Sequence, residues 1–466
     1  MTLENDSVKY RDLAEYVRST RMCSTHEHTE FETAYLENPP DILGNLFDNY
    51  VVNDLVVAGA STKSVQRLFD QRLDVRDRFQ GVAEAWQRSQ FTGYGQGVRL
   101  IAEHVYGVTE ITGEALEQHK FKYPGMPGER LQLLRDVANL DHVQIDSVDW
   151  NVPSEAAGQD FFLYDINLCR FCDGTPDLDK IGRELQIEVT DLAALRRAIE
   201  LIFERNGPLA VAVKSQHAYH RTLRWQKRDE TNASEALKTW IRDGANTSIE
   251  TKNCLGDWCI EKIAHLAAKH NLAFKIHTGY LNNVGGFQVK VSSSECLHEL
   301  MHAHPRTRFV LMHITYPYED ELVAVAKQFP NVAVDLCWAW SLNPLATSRF
   351  VLSMINAVPS NKIFAFGGDS RLPAASVGYA FQARIWLLKT LESAVNDGWM
   401  TEPQAIELAK RLMVANQYEF FDLADKKARL RTAKKLHLKP SENSSIKQLD
   451  DWTHSVWNAR PEAYGV

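Results

Sequence analysis

Two histidines near the start of the chain have the spacing of a metal-binding pair. The segment Met22-Cys-Ser-Thr-His-Glu-His28 reads as a short strand that ends in His26-x-His28. Side chains two apart on a strand point to the same face, so both imidazoles can bind one cation from a single rigid element. The pattern alone is a weak signal, and it gains force only if further ligands follow later strands.

Further ligand-type residues do follow later predicted strands, at the positions where those strands end. Each has an ordinary structural explanation by itself, as a core, ion-pair or capping residue, but six in the same register are hard to explain that way. Imidazole and carboxylate groups suit Zn²⁺, Mn²⁺ or Fe²⁺ better than the soft, thiolate-preferring metals. The predicted ligands are His26, His28, Lys214, His277, His313 and Asp369.

The predicted site can activate water. A metal centre with an open position lowers the pKa of bound water to about 7 and so supplies hydroxide at neutral pH. Asp369 can bind the ion, take the proton from that water and return it to a leaving group, which makes it the predicted catalytic residue.

Residues just beyond the ligand positions are the candidates for binding a small, carboxylated substrate. Cationic groups can hold a carboxylate, and aromatic side chains can form the walls of a pocket. Arg371 has a surface ion pair as an equal alternative. The substrate-binding candidates are Arg170, His217, Tyr219, Arg221, Tyr280, Tyr316, Trp338, Trp340 and Arg371.

The elements that must position these residues alternate between strands and helices. With the first strand there are eight strand candidates, the others being His142–Val148, Phe161–Ile166, Leu209–Lys214, Leu272–His277, Arg308–His313, Val332–Leu336 and Lys362–Gly367. Alternation of this kind implies parallel strands joined by right-handed crossovers. Eight such units predict an α/β fold, a closed (β/α)8 TIM barrel, with an open doubly wound sheet as the alternative. No Gly-x-Gly-x-x-Gly follows any strand candidate, which disfavours the open sheet.

The domain organisation follows from where this alternation begins and ends. Residues 31–140 have helical periodicity and are too many for a plain connection, so we predict a helical insertion after the first strand. We expect the barrel to span residues 1–425 and residues 426–466 to form a C-terminal tail packed on it.

Composition narrows the class of protein. The 466 residues are 44% hydrophobic and 24% charged, as in an ordinary globular protein, and a formal charge of -8 leaves no basic footprint for nucleic acid. No apolar run of membrane-spanning length and no secretory signal is visible, so we expect no membrane partner. Seven cysteines, an odd number, suit reduced thiols in the cytoplasm, and we interpret Cys169-x-x-Cys172 as structural.

The ligand pattern resembles the amidohydrolase superfamily of metal-dependent barrels, over roughly residues 20–425. The resemblance implies that His26, His28 and Asp369 hold one divalent ion, most readily Zn²⁺, and that His277 and His313 hold a second where two are bound. Lys214, carboxylated as in some members, would lie between them. Homo-oligomers are common in the superfamily, so the resemblance also implies one here.

Two subfamilies share further stretches with the chain. Lys214-Ser-Gln-His-Ala-Tyr-His-Arg221 and Met312-His-Ile-Thr-Tyr-Pro317 are similar to the amidohydrolase domain joined to glutamine-synthetase-like proteins, the nodulin-related group. Gly368-Asp-Ser-Arg371, Cys337-Trp-Ala-Trp340 and the long insertion resemble uronate isomerase. Uronate isomerases lack the strand-four lysine and the strand-six histidine, so Lys214 and His313 favour chemistry with activated water.

The sequence therefore predicts an enzyme, a metal-dependent hydrolase that uses metal-activated water on an amide, lactone or related C–N or C–O bond. One alternative is uronate isomerisation, with Arg371 holding the sugar carboxylate. Two others are non-oxidative decarboxylation and a binding module without turnover, which the intact ligand set argues against.

Overall fold

The computed structural model describes residues 9–120, 122–153, 155, 158–282 and 289–432. Residues 433–466, most of the predicted C-terminal tail, lie outside the described residues. The remaining ranges contain every predicted ligand and substrate-binding residue.

Eight parallel strands form the centre of the molecule. In chain order, β1 to β8 are Met22–Glu27, Leu140–Ile145, Phe162–Tyr164 continued by Ile166–Asn167, Ala212–Ser215, Ala273–His277, Phe309–Met312, Val332–Asp335 and Ile363–Phe364. Each strand pairs with the next one in the sequence, and every pairing is parallel. The strands are buried along almost their whole length, which explains why most of them read as continuous apolar runs.

Backbone hydrogen bonds close the strands into a ring. Asp165 interrupts β3 and its N–H donates to the carbonyl oxygen of Ile145 at 2.8 Å, so the first half of β3 and the residue after it are bonded to β2, and the second half is paired with β4. On the other side, Thr25 N–H in β1 donates to Phe366 O just after β8, and Asp369 N–H donates to His26 O, both at 3.0 Å. The predicted (β/α)8 barrel is confirmed.

Helices follow most strands and cover the outside of the barrel. The longer ones after β3 are Leu178–Leu185, Leu192–Asn206, Glu230–Asp243, Ile249–Lys269, His298–Ala303, Glu319–Gln328, Pro344–Ala357 and Pro373–Asn396. Several begin at a side chain that accepts a hydrogen bond from the first turn, such as Asp191 from Ala194 N–H and Ser248 from Thr251 N–H. The helix Arg11–Ser19 precedes β1 and is joined to it by two residues.

The segment between β1 and β2 is helical. Its helices are Glu32–Glu37, Ile42–Phe47, Val51–Val57, Thr62–Leu68, Val75–Gln80, Ala83–Ser89, Gly93–Ile101, Ala102–Tyr106, Gly113–His119, Glu129–Leu131 and Gln132–Val137. It packs closely on the helix after β8: a Cβ at Gly97 would lie 2.5 Å from the ring of Tyr379, so only glycine fits there. The hydroxyl of Tyr50 donates to Asp369 O at 2.7 Å, so this segment also reaches the rim where the predicted ligands lie.

The last described helices pack against the opposite end of the barrel. They are Glu402–Lys410, Arg411–Ala415, Asn416–Phe421 and Leu423–Thr432. The predicted boundary at residues 425 and 426 falls inside the last of them, where Lys426 Nζ donates to Ala210 O at 3.0 Å and Lys427 Nζ donates to Asp141 Oδ2 at 2.6 Å. Across the described residues, each helix is too short or too polar to cross a lipid bilayer.

Candidate metal centre

The six predicted ligands lie together at the C-terminal mouth of the barrel. His26 is in β1 and His28 directly follows it, Lys214 is in β4, and the other three are at or just beyond the ends of β5, β6 and β8. All six side chains are buried, and the most exposed of them retains only 4% of its accessible surface. Parallel strands of a closed barrel all end at the same rim, which is why residues from 26 to 369 meet here.

Asp369 is the centre of the cluster. Its Oδ1 lies 2.9 Å from His26 Nε2 and 3.3 Å from His28 Nε2, and its Oδ2 lies 3.8 Å from His313 Nε2. The imidazole rings of His277 and His313 are 4.2 Å apart between centroids. One nitrogen each from His26 and His277 and one oxygen from Asp369 lie within 4.8 Å of one another, close enough to share a cation.

The ring hydrogen bonds of two ligands set their tautomers. Nδ1 of His28 is 2.9 Å from Asp146 O, and Nδ1 of His313 is 3.0 Å from Cys337 O. A carbonyl can only accept, so both Nδ1 atoms carry the proton and both Nε2 lone pairs face the cluster. This arrangement, with a second partner behind each imidazole, is typical of metal-binding histidines.

Two buried ring nitrogens indicate that the cluster suits a cation. Among the described residues, Nε2 of His277 and Nε2 of His313 have no hydrogen-bond partner. Buried polar atoms are nearly always satisfied, and a lone pair that no donor reaches is suited to a metal ion. Nδ1 of His277 bonds to the Tyr219 hydroxyl at 2.8 Å, which orients the ring. The residues present therefore fit a divalent cation.

The protonation states also suit metal binding. Burial and the adjacent Lys214 ammonium lower the pKa of His26 and of His277 well below the usual value, and burial lowers the pKa of His313 to about 4. Neutral imidazole is the form that binds metals. Burial raises the pKa of Asp369, but its electrostatic and hydrogen-bond interactions with His26 and His28 outweigh burial, so the pKa lies well below its usual value.

Lys214 lies inside this cluster and bonds to His26 and to Asp146, an aspartate just beyond β2. Its Nζ is 2.9 Å from His26 Nε2 and 3.4 Å from Asp146 Oδ2, and its side chain is wholly buried. The neighbouring strand carries a second buried lysine, Lys275, in register with it. Lys275 Nζ instead binds both oxygens of Asp165, at 3.0 and 2.9 Å, and Thr25 O at 2.8 Å, so it has a full set of structural partners.

Asp146, just beyond β2, belongs to the cluster and was missing from the predicted set. Asn167 Nδ2 donates to both its oxygens at 2.8 and 3.0 Å, and Val148 N–H donates at 2.8 Å. Burial raises its pKa, but the electrostatic interactions with Lys214, His28 and His26 and the hydrogen bond from Asn167 outweigh burial and lower the pKa to about 2. The predicted strand extended to Val148, so Asp146 fell inside it and was not considered as a residue at a strand end. With the strand ending at Ile145, the criterion used for the other ligands, a ligand-type residue where a strand ends, also selects Asp146.

Glu27, between the two histidines, holds the Asp369 loop in place. Its carboxylate accepts hydrogen bonds from Ser24 Oγ at 2.6 Å, Gly368 N–H at 3.0 Å and Ser376 Oγ at 2.9 Å, and two from Ser370 at 3.2 and 3.3 Å. A Cβ at Gly368 would lie 2.7 Å from Glu27 Oε1, so the loop needs glycine there. Burial, only partly offset by these bonds, raises the pKa of Glu27 to about 7.

The predicted substrate-binding residues beyond β4 and β7 differ in their surroundings. Tyr219 contacts His277, as described above, and His217 is buried with Nδ1 bonded to Ser215 Oγ at 2.8 Å. Trp338 takes a left-handed backbone conformation, with φ of 63°, and its ring lies 5.2 Å from that of His313. Trp340 instead donates its Nε1–H to Ala365 O at 2.9 Å, a bond that ties its loop to the end of β8.

The three predicted arginines are hydrogen-bonded to other parts of the protein. Arg371 is paired with Glu30 at 2.7 Å and with Asp48, both from the segment between β1 and β2. Arg221 is buried, pairs with Asp257 at 2.6 Å and also donates to three backbone carbonyls. Arg170 is exposed and donates to the carbonyl of the nearby loop. Their guanidinium groups have protein partners in this structure, and a role in binding a substrate carboxylate stays a prediction.

Aromatic side chains line the mouth instead. The ring of Trp338 lies 5.0 Å from Tyr50, 6.2 Å from Tyr94 and 6.1 Å from Tyr280, measured between centroids. Tyr316 packs edge-on against Tyr280 at 6.3 Å. Two of these residues come from the insertion, so it contributes directly to the walls around the cluster.

Comparison with known proteins agrees with this architecture. Residues 210–423 match the family model described as amidohydrolase. The chain is 16% identical to a uronate isomerase from Thermotoga maritima, with a TM-score of 0.71 over 90% of this chain and 100% of that one. It is 15% identical to a glucuronate isomerase from Caulobacter crescentus, with a TM-score of 0.71 over 90% of this chain and 95% of that one.

A curated relative shares a shorter stretch. The protein fluG of Emericella nidulans is 25% identical over 235 residues, which is 46% of this chain and 26% of that protein. The chain thus matches only about a quarter of its relative's length. Together, the family match and the shared fold confirm the resemblance to the amidohydrolase superfamily.

Proposed function

We propose that this chain, an amidohydrolase-type barrel by family match and by fold, is a metal-dependent hydrolase. It would cleave an amide, lactone or related C–N or C–O bond of a small, carboxylated substrate with water. The observation that carries the proposal is the convergence of Lys214 and His313 with the other four ligand-type residues around the Asp369 carboxylate.

The divalent cation is assigned to these six residues. We propose that His26, His28 and Asp369 hold one ion and that His277 and His313 face a second position, with Lys214, carboxylated or free, between them. Zn²⁺ is the first choice for such nitrogen and oxygen ligands, with Mn²⁺ and Fe²⁺ as alternatives, and one or two ions fit the set. A bound divalent cation supplies Lewis acidity toward the scissile bond and lowers the pKa of water.

Asp369 is the proposed proton carrier. Its carboxylate is kept ionised by its contacts with His26 and His28, so Oδ2 can accept the proton of the attacking water and deliver it to the leaving nitrogen or oxygen. Tyr50 bonds to its carbonyl oxygen, and Glu27 holds the following residue, which together fix where the carboxylate points. The role of Tyr219 is to orient His277 through its hydroxyl.

The substrate would lie between the cluster and the aromatic walls. Trp338 Nε1 and His217 Nε2 are buried and, within the described ranges, lack a hydrogen-bond partner, so they are the proposed polar contacts for the substrate carboxylate or its equivalent. Burial and Arg221 lower the pKa of His217 to about 3, so it is neutral at pH 7. The aromatic rings around Trp338 favour a substrate with an apolar face.

Uronate isomerisation is the second candidate. The match in fold to two uronate isomerases over 90% of the chain favours it, as do Asp369-Ser-Arg371 and the insertion. The pairing of Arg371 with Glu30 and Asp48 opposes it, because a sugar carboxylate would have to compete with two protein carboxylates. Non-oxidative decarboxylation is a weaker third candidate.

Elemental analysis combined with a substrate screen tests the proposal. The purified protein is assayed for bound metal and then offered N-acyl amino acids, lactones and uronates. We expect hydrolysis in the first two classes, loss of at least several hundred-fold in His277→Ala, and no loss in His302→Ala, an exposed histidine away from the mouth. Uronate turnover without hydrolysis would replace the hydrolase with the isomerase, and release of CO₂ would replace it with the decarboxylase.

Location and assembly are further proposals. The seven cysteines are all free thiols in the structure, and we propose a cytoplasmic protein that forms a homo-oligomer and binds neither nucleic acid nor membrane. Size-exclusion chromatography with light scattering tests the assembly: a monomer at micromolar concentration would contradict it.

A further inference from the structure

We propose a second metal site, outside the central cluster, for a divalent cation that accepts a thiolate ligand, of the Zn²⁺ class. Its residues are Cys169 and Asp173, after β3, and His220, after β4. Both segments follow strand ends and so lie on the same side of the barrel as the central cluster. The central cluster contains no sulfur ligand, so the two sites differ in chemistry.

The three ligand atoms lie within about half an ångström of the spacing on one face of a tetrahedral site. Cys169 Sγ lies 3.5 Å from Asp173 Oδ2 and 3.9 Å from His220 Nδ1, and Asp173 Oδ2 lies 2.8 Å from His220 Nδ1. Zinc bond lengths and tetrahedral angles place such atoms about 3.3–3.6 Å apart. Shifts of about half an ångström in the side chains would therefore bring all three onto one ion.

The surroundings of Asp173 point to a missing partner. The residue is 92% buried, since only 8% of it is exposed, and within the described part of the chain its Oδ1 has no hydrogen-bond partner. An ion pair with His220 and a thiol bond from Cys169 account for Oδ2 alone. A cation bound by the carboxylate would satisfy the second oxygen as well.

Access and ligand number also suit a metal ion. Cys169 is 4% exposed, whereas the side chain of His220 is 47% exposed, so the site is closed on the protein side and open to solvent at the histidine. Three protein ligands leave a fourth position for water or for a substrate group. Cys169 and Asp173 are four residues apart on one helical turn, which holds two ligands on the same face.

Two residues connect this site to the central cluster. Asn167 accepts a hydrogen bond from Cys169 N–H at 2.9 Å and donates to Asp146 at 2.8 Å. Tyr219, next to His220, bonds to His277. A cation bound to the Cys169 loop and to His220 would join the loops after β3 and β4 and so fix the position of Tyr219.

Cobalt substitution tests the site in the full-length protein. Co²⁺ bound by a cysteine thiolate gives a charge-transfer band in the near ultraviolet, which nitrogen and oxygen ligands do not give. We expect the Co²⁺-loaded parent to show this band and Cys169→Ser to lose it, together with about one equivalent of metal by elemental analysis. Cys254→Ser, which removes a half-buried cysteine from another helix, is the matched control and should change neither.

His220→Ala provides a second variant, since its half-exposed side chain can be removed with little effect on folding. It should weaken Co²⁺ binding at this site and reduce the thiolate band. Absence of the band from the parent, or its persistence in Cys169→Ser, would overturn the proposal. The outcome is independent of the proposed function, because loss of the central site would abolish turnover without removing the thiolate band.

Discussion

Two buried lysines in adjacent strands allow a test of the central site, because removing each should affect a different property: metal content in one case and stability in the other. Lys214 and Lys275 are paired in register, and both are wholly inaccessible to solvent. We consider Lys214→Met and Lys275→Met, which keep the length of the side chain and remove the charge. The structure predicts that one variant loses metal while the other loses stability.

The stability cost follows from what each ammonium leaves behind. Lys275 is the cation that binds both oxygens of Asp165, so its removal leaves a buried carboxylate without its charge partner, at a cost of about 3–5 kcal/mol. Asp146, the carboxylate beside Lys214, keeps its contacts with Asn167 and Val148, so the cost of Lys214→Met is about 1–2 kcal/mol.

The metal content should fall in Lys214→Met, the variant with the smaller loss of stability, and not in Lys275→Met. Lys214 Nζ lies 2.9 Å from a proposed ligand nitrogen, whereas the hydrogen bonds of Lys275 in the described part of the chain go to Asp165 and Thr25 O. We therefore expect Lys214→Met to bind less metal and to lose turnover, and Lys275→Met to retain both per folded molecule.

Elemental analysis and thermal unfolding of metal-free protein measure the two effects separately. Lys275→Met should unfold roughly 3–5 °C below the parent, and the double variant Asp165→Leu with Lys275→Met should recover much of that loss. Equal metal content in Lys214→Met and the parent would remove Lys214 from the ligand set. Equal stability of Lys275→Met and the parent would refute the account of the buried pair.

Three further predictions follow from the site. Asp369→Asn should lower turnover by about 10³-fold or more with the fold intact by circular dichroism, because the amide cannot carry the proton; near-normal activity would exclude the proposed role. Arg371→Met should leave KM for a carboxylated substrate within about two-fold, since the guanidinium is already paired, and a KM rise of ten-fold or more would restore Arg371 as a substrate contact. The pKa of Glu27 is about 7 in the folded protein against 4.5 in the unfolded chain. Its contribution to the free energy of unfolding of the metal-free protein is therefore fully present below pH 4.5, and up to about 3 kcal/mol of it is lost as the pH rises to 7. From pH 5 to 8 the unfolding temperature of the parent should therefore fall relative to that of Glu27→Gln, which cannot ionise at this position. A constant difference between the two would show that Glu27 does not titrate in this range.

Much of the architecture could be predicted from the sequence because it rests on local patterns. Strands buried on both faces read as short apolar runs, and residues at strand ends then share one rim without any knowledge of the loops. That reasoning identified the cluster around Asp369 from spacing alone. It missed Asp146 because a boundary error of three residues moved the aspartate from the end of a strand into its interior.

The partners of long side chains could not be predicted in the same way. Arg371 and Arg221 have types and positions suited to a substrate carboxylate, yet each binds acidic residues that are distant in sequence: Glu30 and Asp48 in one case, Asp257 in the other. Such pairings depend on how the insertion and the outer helices pack, which no local spacing encodes.

The hydrogen bonds that join β1 to the segment after β8 have a consequence for synthesis of the protein. His26 and His28 leave the ribosome early, whereas Asp369 and the backbone that completes the ring emerge some 340 residues later, as the separation of Glu27 from Gly368 shows. Until then the early histidines lack their carboxylate, and the nascent polypeptide has no complete ligand set to retain an ion. Uptake of the proposed ion would therefore be a late event, which follows translation of nearly the whole barrel.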